Sequence, residues 1–116
     1  MSMSGSSGPR MTLPTQLVLR ALLEHPTREM YGLEICAAAG LPSGTIHPIL
    51  ARLEQAGWLE SHWEEVDPKE KGRPRRRYYR LSPDGIELAR DALARAHAAV
   101  AKLTALRLRP TPGSTT

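Results

Sequence analysis

Apolar residues along this chain change their period several times, and each change marks an element. From Pro14, the segment "PTQLVLRALLEH" sets Leu17, Val18, Leu19, Ala21, Leu22 and Leu23 round most of a helical circumference. Pro14 is tolerated in a first turn, and Pro26 stops the segment. A helix apolar on so many sides needs cover on as many, which in a small domain calls for a second subunit. Tyr31, Glu34, Ile35 and Ala38 fall at helical spacing, so a second helix is predicted from about Glu29 to Ala39, with Gly40 suited to the position after its last turn. In "PSGTIHPILARLEQAG", Ile46, Ile49, Leu50 and Leu53 form one stripe and Gly57 ends the helix. Ser43 or Thr45 is the expected cap; a Thr45 cap would put Pro48 in the first turn, where its missing N–H is harmless.

The period then falls to two. Leu59, Ser61 and Trp63 alternate with Glu60, His62 and Glu64, a half-buried strand pattern. "DPKEKGRP" reads as a loop, bounded by Asp-Pro and Gly/Pro signals. "RRRYYRL" resumes a strand, with Arg77, Tyr79 and Leu81 on one face and Tyr79 expected to pack inward on Trp63 and Leu59. Ser82 suits a helix cap and Pro83 a first helical residue. The last helix runs to about Leu108, ~37 Å at 1.5 Å per residue. Ile86, Ala89, Leu93, Ala96, Val100 and Leu103 alternate spacings of three and four, the seam of a coiled coil. Helix, helix, helix, hairpin and long helix give a mainly α (α+β) chain, a winged helix-turn-helix domain with a C-terminal dimerisation helix. The expected organisation is a disordered leader over residues 1–12, the winged-helix domain over 13–82, the dimerisation helix over 83–108 and a disordered tail over 109–116.

Composition narrows this. Hydrophobic residues are 41% and charged residues 24% of the 116, enough for one packed domain. No apolar run approaches the ~18 residues of a membrane span, so no membrane partner is expected. "MSMSGSSGPR" lacks the apolar stretch of a secretory signal, and the single Cys36 has no internal disulfide partner; the cytoplasm is the expected compartment. The net charge of +4 is unevenly spread: residues 69–80 carry seven Lys/Arg and one acid, and the rest carry nine Lys/Arg against eleven Asp/Glu. A charge run is most often a solvated loop. Here the run ends in a strand with two tyrosines, so a scaffold presents it, and a polyanion would relieve its self-repulsion.

In a winged helix the third helix enters the major groove and the hairpin lies against phosphates or the minor groove. The candidate DNA contacts are Ser43, Thr45, His47, Pro48 and Arg52 on the third helix, and Lys71, Arg73, Arg75, Arg76 and Arg77 on the wing. His47 reads equally as a surface histidine, and Arg52 as the partner of Glu54 or Glu24. Candidate dimer contacts are Leu17, Leu22, Ile86, Ala89, Leu93, Ala96, Val100 and Leu103. Rival functions have less behind them. His25, His47, His62 and His97 lie on four elements without ligand spacing, and no paired-carboxylate, nucleophile or phosphate-loop motif is present, so neither catalysis nor a cofactor is expected. His62 with Glu64, Glu65 and Asp67 could collect a divalent ion, but reads more simply as an edge strand's polar face. A winged-helix module that binds protein or RNA stays open.

At "YGLEI" (31–35), "LPSGTIHPILARLEQAGWLES" (41–61) and "GRPRRRYYRLSPDG" (72–85), the chain resembles the PadR family of bacterial transcriptional regulators, over about residues 14–104. ArsR-like and MarR-like repressors share the "RLEQAGWLE" type of segment without the other two. The resemblance implies a homodimer paired through its C-terminal helices with the first helix packed across them. It implies a palindromic double-stranded operator contacted by Tyr31, the Ser43–Arg52 helix and the wing, and repression released by a small, phenolic or otherwise lipophilic effector. The family usually has a phosphate-touching tyrosine where this chain has His47, and the last helix here lacks aromatics to line an effector pocket at the dimer centre.

Overall fold

A computed structural model of the chain describes residues 8–108. The elements in chain order are α1 (Leu13–Leu23), β1 (Met30–Tyr31), α2 (Gly32–Ala39), α3 (Ser43–Gln55), β2 (Leu59–Trp63), α4 (Pro68–Lys71), β3 (Arg77–Leu81) and α5 (Pro83–Leu108). The tail expected over 109–116, and residues 1–7 of the expected leader, lie outside the described residues. Residues 8–12 differ from that expectation. Thr12 caps α1 through its side chain, Met11 packs against the core and Gly8 lies against the Trp58 ring.

The core is one cluster. Val18, Leu19 and Leu22 of α1 meet Ile35 of α2, the whole α3 stripe Ile46, Ile49, Leu50 and Leu53, then Trp58 of the turn before β2, Leu59, Tyr79 and Leu81 of the sheet, and Ala89 and Ala92 of α5. Each large side chain so buried contributes ~1.5–3 kcal/mol relative to exposure. The alanines let α5 approach α1 closely. The face of α2 that is covered carries Ile35, Cys36 and Ala39, whereas Ala38 is exposed.

The sheet has three antiparallel strands in the order β1-β3-β2. Met30 pairs with Tyr79 and Tyr31 with Tyr78, while Leu59 pairs with Leu81 and Trp63 with Arg77. The sequence pattern put Tyr31 inside the second helix. It is instead extended, and the helix starts one residue later, because the Glu34 carboxylate accepts from the Tyr31 N–H at 3.1 Å. The loop expected at 67–74 contains a single helical turn, α4. The Asp67 carboxylate accepts from the Lys69 N–H at 2.9 Å to start it, and Gly72 ends it with φ 68°.

Two further caps position the site. The residue capping α3 is Pro42, in place of the expected Ser43 or Thr45: its carbonyl accepts from the Thr45 and Ile46 amides at 3.0 and 3.1 Å. Pro48 therefore sits in the second turn, and the exposed Gly44 carbonyl has no amide four residues on to accept from. At the start of α5, Ser82 Oγ accepts from the Gly85 N–H at 2.9 Å and donates to the Gly57 carbonyl at 2.8 Å. An alanine at Gly85 would place its Cβ 2.0 Å from the Trp58 carbonyl oxygen, so only glycine lets α5 begin pressed against that turn.

Candidate nucleic-acid interface

The wing is built round one carboxylate. Beyond the last β2 residue, the Glu64 N–H donates to the Arg76 carbonyl at 2.8 Å, extending the hairpin. The Glu64 side chain then accepts two hydrogen bonds from the Arg73 guanidinium, at 2.7 and 3.0 Å, and one from the Arg76 N–H at 3.2 Å. The Arg73 hydrogen bond, outweighing the opposing desolvation, holds the Glu64 carboxyl at about 2, well below its ordinary 4.5; the Arg76 amide adds to the effect. Arg73 was expected to face a phosphate. In the structure it spans the wing's base, because Glu64 lies across the hairpin at bidentate range.

Arg77 has a similar inward task. Its Nε donates to Ser61 Oγ at 3.1 Å, its Nη2 lies 3.3 Å from Glu54 near the end of α3, and its guanidinium covers the Trp63 ring at 5.3 Å. The wing is thus fastened to the helix beside it. Arg75 and Arg76 differ from both. Arg75 is exposed and, among the described residues, its side chain donates only to the Val66 carbonyl, at 3.0 Å. Arg76 lies over the Tyr31 ring at 4.1 Å and, among the described residues, has no carboxylate within ion-pair range. Tyr31 meets Tyr78 edge-on at 5.8 Å, Tyr78 stacks on His62 at 5.9 Å, and His62 pairs with Glu29, whose hydrogen bond raises the imidazole above its ordinary 6.5. Lys71 is exposed at the end of α4.

Between the start of α2, the start of α3 and the wing's base lies an open cleft of about 440 Å³. It gathers Tyr31, Ser43, His47, Arg73, Arg76 and Arg77 of the expected DNA contacts. Thr45, Pro48, Arg52, Lys71 and Arg75 lie outside it. His47 packs close to Gly32, where an added Cβ would meet the imidazole at 3.3 Å. Two lining residues escaped the sequence reading. Leu33 is 70% exposed, and Trp63, expected under Tyr79, is 55% exposed. Tyr79 itself is buried as expected. Alternation told which face Trp63 is on, but at Trp63 the sheet has run past the helices that cover that face.

Of the expected dimer contacts, Leu22 and Ala89 are already buried within the chain's own core, since α1 and α5 pack on each other there. Leu17, Ile86, Leu93 and Ala96 are half-buried, and Val100 and Leu103 are 59% and 62% exposed. Among the described residues no cluster of three His, Cys, Asp or Glu could hold a metal; His62 and Glu64 are engaged by Glu29 and Arg73. No described helix is long and apolar enough to cross a membrane.

A helix-turn-helix of α2 and α3 beside a hairpin is the architecture of winged-helix transcriptional regulators, and solved structures of that class match it. The chain is similar to BpsR of Bordetella bronchiseptica (20% identity, TM-score 0.63, covering 86% of this chain and 69% of that one). It is also similar to PcaV of Streptomyces coelicolor in complex with its natural ligand (26%, 0.60, 85% and 64%) and to reduced AbfR bound to DNA (26%, 0.59, 77% and 58%). The model of the transcriptional regulator PadR-like family matches residues 18–91, and the chain belongs to that family. No curated protein matches it. The chain spans about two thirds of PcaV and less than two thirds of AbfR.

Proposed function

We propose that this PadR-like regulator is a sequence-specific, homodimeric repressor that binds a palindromic duplex and is released by a small lipophilic effector. The observation that carries the reading is the cleft joining α3 to the wing. It holds Tyr31, Ser43, His47 and Arg76, and among the described residues Arg76 has no carboxylate within ion-pair range and no acidic side chain lines the cleft. Phosphate oxygens passing between α3 and the wing would meet hydroxyls, an imidazole and a guanidinium, and no like charge. Thr45, Pro48 and Arg52 lie on α3 outside the cleft and would reach base edges, and Arg75 and Lys71 are exposed on the wing. The solved AbfR structure with DNA and the PcaV structure with its ligand support both halves of the reading. The cytoplasm is the compartment that fits it.

Selection of bound duplexes from a random pool tests the proposal. The expected product is a two-fold motif whose half-sites lie one helical turn apart, ~34 Å. Competition with a structured RNA at the same salt concentration decides the alternative, an RNA-binding module. If RNA displaces the selected duplex at equal concentration, or no motif emerges, the duplex-specific reading fails.

A further inference from the structure

One edge of the sheet is open. In the order β1-β3-β2, both sides of β3 are taken, and β2 has a neighbour on one side only. Its register settles which groups face outward. The Glu64 N–H donates to the Arg76 carbonyl and the Ser82 N–H to the Trp58 carbonyl, so the even-numbered residues from 58 to 64 bond to β3. Ser61 and Trp63 alternate with them and turn their N–H and C=O groups to the outer side. Among the described residues, only the Trp63 carbonyl has a hydrogen-bond partner there, the His62 Nδ1 at 3.3 Å. Edge strands are commonly blunted by a proline or an inward-facing charge. Here no proline lies between Leu59 and Asp67, and the inward-facing Leu59, Ser61 and Trp63 are uncharged. The charge beside this edge is one-sided. Residues 59–68 carry four acids and no Lys or Arg, whereas residues 71–80 carry six Lys or Arg and no acid. Glu60 is matched by Arg80, His62 by Glu29 and Glu64 by Arg73. Glu65 is exposed and, among the described residues, has no cation within ion-pair range. With Trp63, Val66 and Asp67 it lines an open hollow of about 690 Å³; Arg75 also lines it, held by the Val66 carbonyl at 3.0 Å.

We infer that the outer edge of β2 takes an extended cationic segment of a partner protein as a fourth strand. The segment's apolar face lies against Trp63, and its Lys or Arg side chains point toward Glu60, Glu64 and the hollow at Glu65. Main-chain hydrogen bonds to Ser61 and Trp63 supply affinity, and the acids select the charge of the strand. A second copy of this chain is a poorer occupant, because pairing β2 with itself would bring two acidic edges together. A neutral strand would leave Glu65 unmatched. Neither Ser61 nor Glu65 lines the cleft beside α3, so the inference stands whether or not the chain binds a duplex.

Amide hydrogen exchange of the full chain, followed by NMR with no DNA present, tests the edge directly. In the isolated chain the Ser61 and Trp63 amides should exchange faster than those of Glu60 and His62, which bond to β3. A short, end-capped peptide of alternating lysine and valine should bind saturably and slow the Ser61 and Trp63 amides at least tenfold. The same peptide with a central valine replaced by proline keeps the charge but breaks the ladder, and should bind at least tenfold more weakly. A glutamate–valine counterpart should be weakened as much. Glu65→Lys, at an exposed position, should weaken the lysine–valine peptide at least tenfold while leaving the chain's circular dichroism unchanged. Equal binding of the proline peptide, or binding that leaves both amides exchanging as before, reduces the contact to charge alone and overturns the added strand. Ser61 and Trp63 amides that are already slow in the isolated chain, and quicken on dilution, put a second copy on the edge and overturn the partner. Absence of saturable binding at millimolar lysine–valine peptide overturns the site.

Discussion

Arg73, Arg75, Arg76 and Arg77 are four like residues within five positions, and their surroundings divide them into two pairs. Arg73 and Arg77 each face a carboxylate, Glu64 and Glu54, and hold the hairpin in shape. Among the described residues, Arg75 and Arg76 have a carbonyl and a tyrosine ring as side-chain partners and no carboxylate within ion-pair range, so their charge remains available to a polyanion. Only cations that neutralise phosphates release counterions, which sets the salt dependence of binding. Arg75→Ala with Arg76→Ala should therefore weaken binding to all duplexes alike and lower the slope of log K against log salt by about two. Arg73→Ala should weaken binding while leaving that slope nearly unchanged, because the lost charge was already matched by Glu64. Salt titrations of the three proteins on one duplex make the comparison. A slope lowered as much by Arg73→Ala as by one of the other two would mean that Arg73 leaves Glu64 for a phosphate.

The wing as an element depends on the charge of Glu64. Its carboxyl titrates at about 2 in the fold against an ordinary 4.5, so the folded state binds that proton less readily than the unfolded one. The stabilisation is then complete above about pH 4.5 and lost as pH falls toward 2. Asp67 at the α4 cap and Glu54 against Arg77 face the same segment. Carboxyl NMR should place the Glu64 midpoint near 2, and Glu64→Gln should let the Arg76 amide exchange rapidly even at pH 7. A midpoint near 4.5 would put Arg73 in solvent. How much of this element was legible follows from its physics. The period of two announced both strands, and with them the face on which Tyr79 is buried. A two-residue strand and a one-turn helix have no period, so β1 and α4 escaped, although Asp67 and Gly72 were turn signals in plain view. The pairs Arg73–Glu64 and Arg77–Glu54 join positions 9 and 23 apart, and no local pattern specifies which acid a guanidinium finds. The α3 stripe was fully legible, because its spacing alone fixes the buried face.

At the scale of the whole molecule, one core closes without help, and one surface does not. The first half of α5 is covered by the chain itself: Ala89 and Ala92 are buried, and Ile86 and Leu93 pack against the core. Its second half presents Val100, Leu103 and Leu106 to solvent, 59%, 62% and 52% exposed. Large apolar side chains at intervals of three along this helix have no cover among the described residues, and a second copy of α5 is the occupant the proposed dimer supplies. The division decides how the dimer should be tested. A charge at Leu93 would damage the protomer's own packing, so loss of the dimer would be confounded with loss of the fold. Val100→Asp with Leu103→Asp adds charge at two exposed positions that no described residue covers. Sedimentation should find a dimeric wild type and a monomeric double variant, whose helical circular dichroism stays close to the wild type's. Because joining two half-sites multiplies affinity by about 10²–10⁴, the monomer should lose the palindrome's advantage over a single half-site while keeping weak binding to either. A wild type that sediments as a monomer at micromolar concentration, or a double variant that still prefers the palindrome, would place the pairing surface elsewhere than on α5.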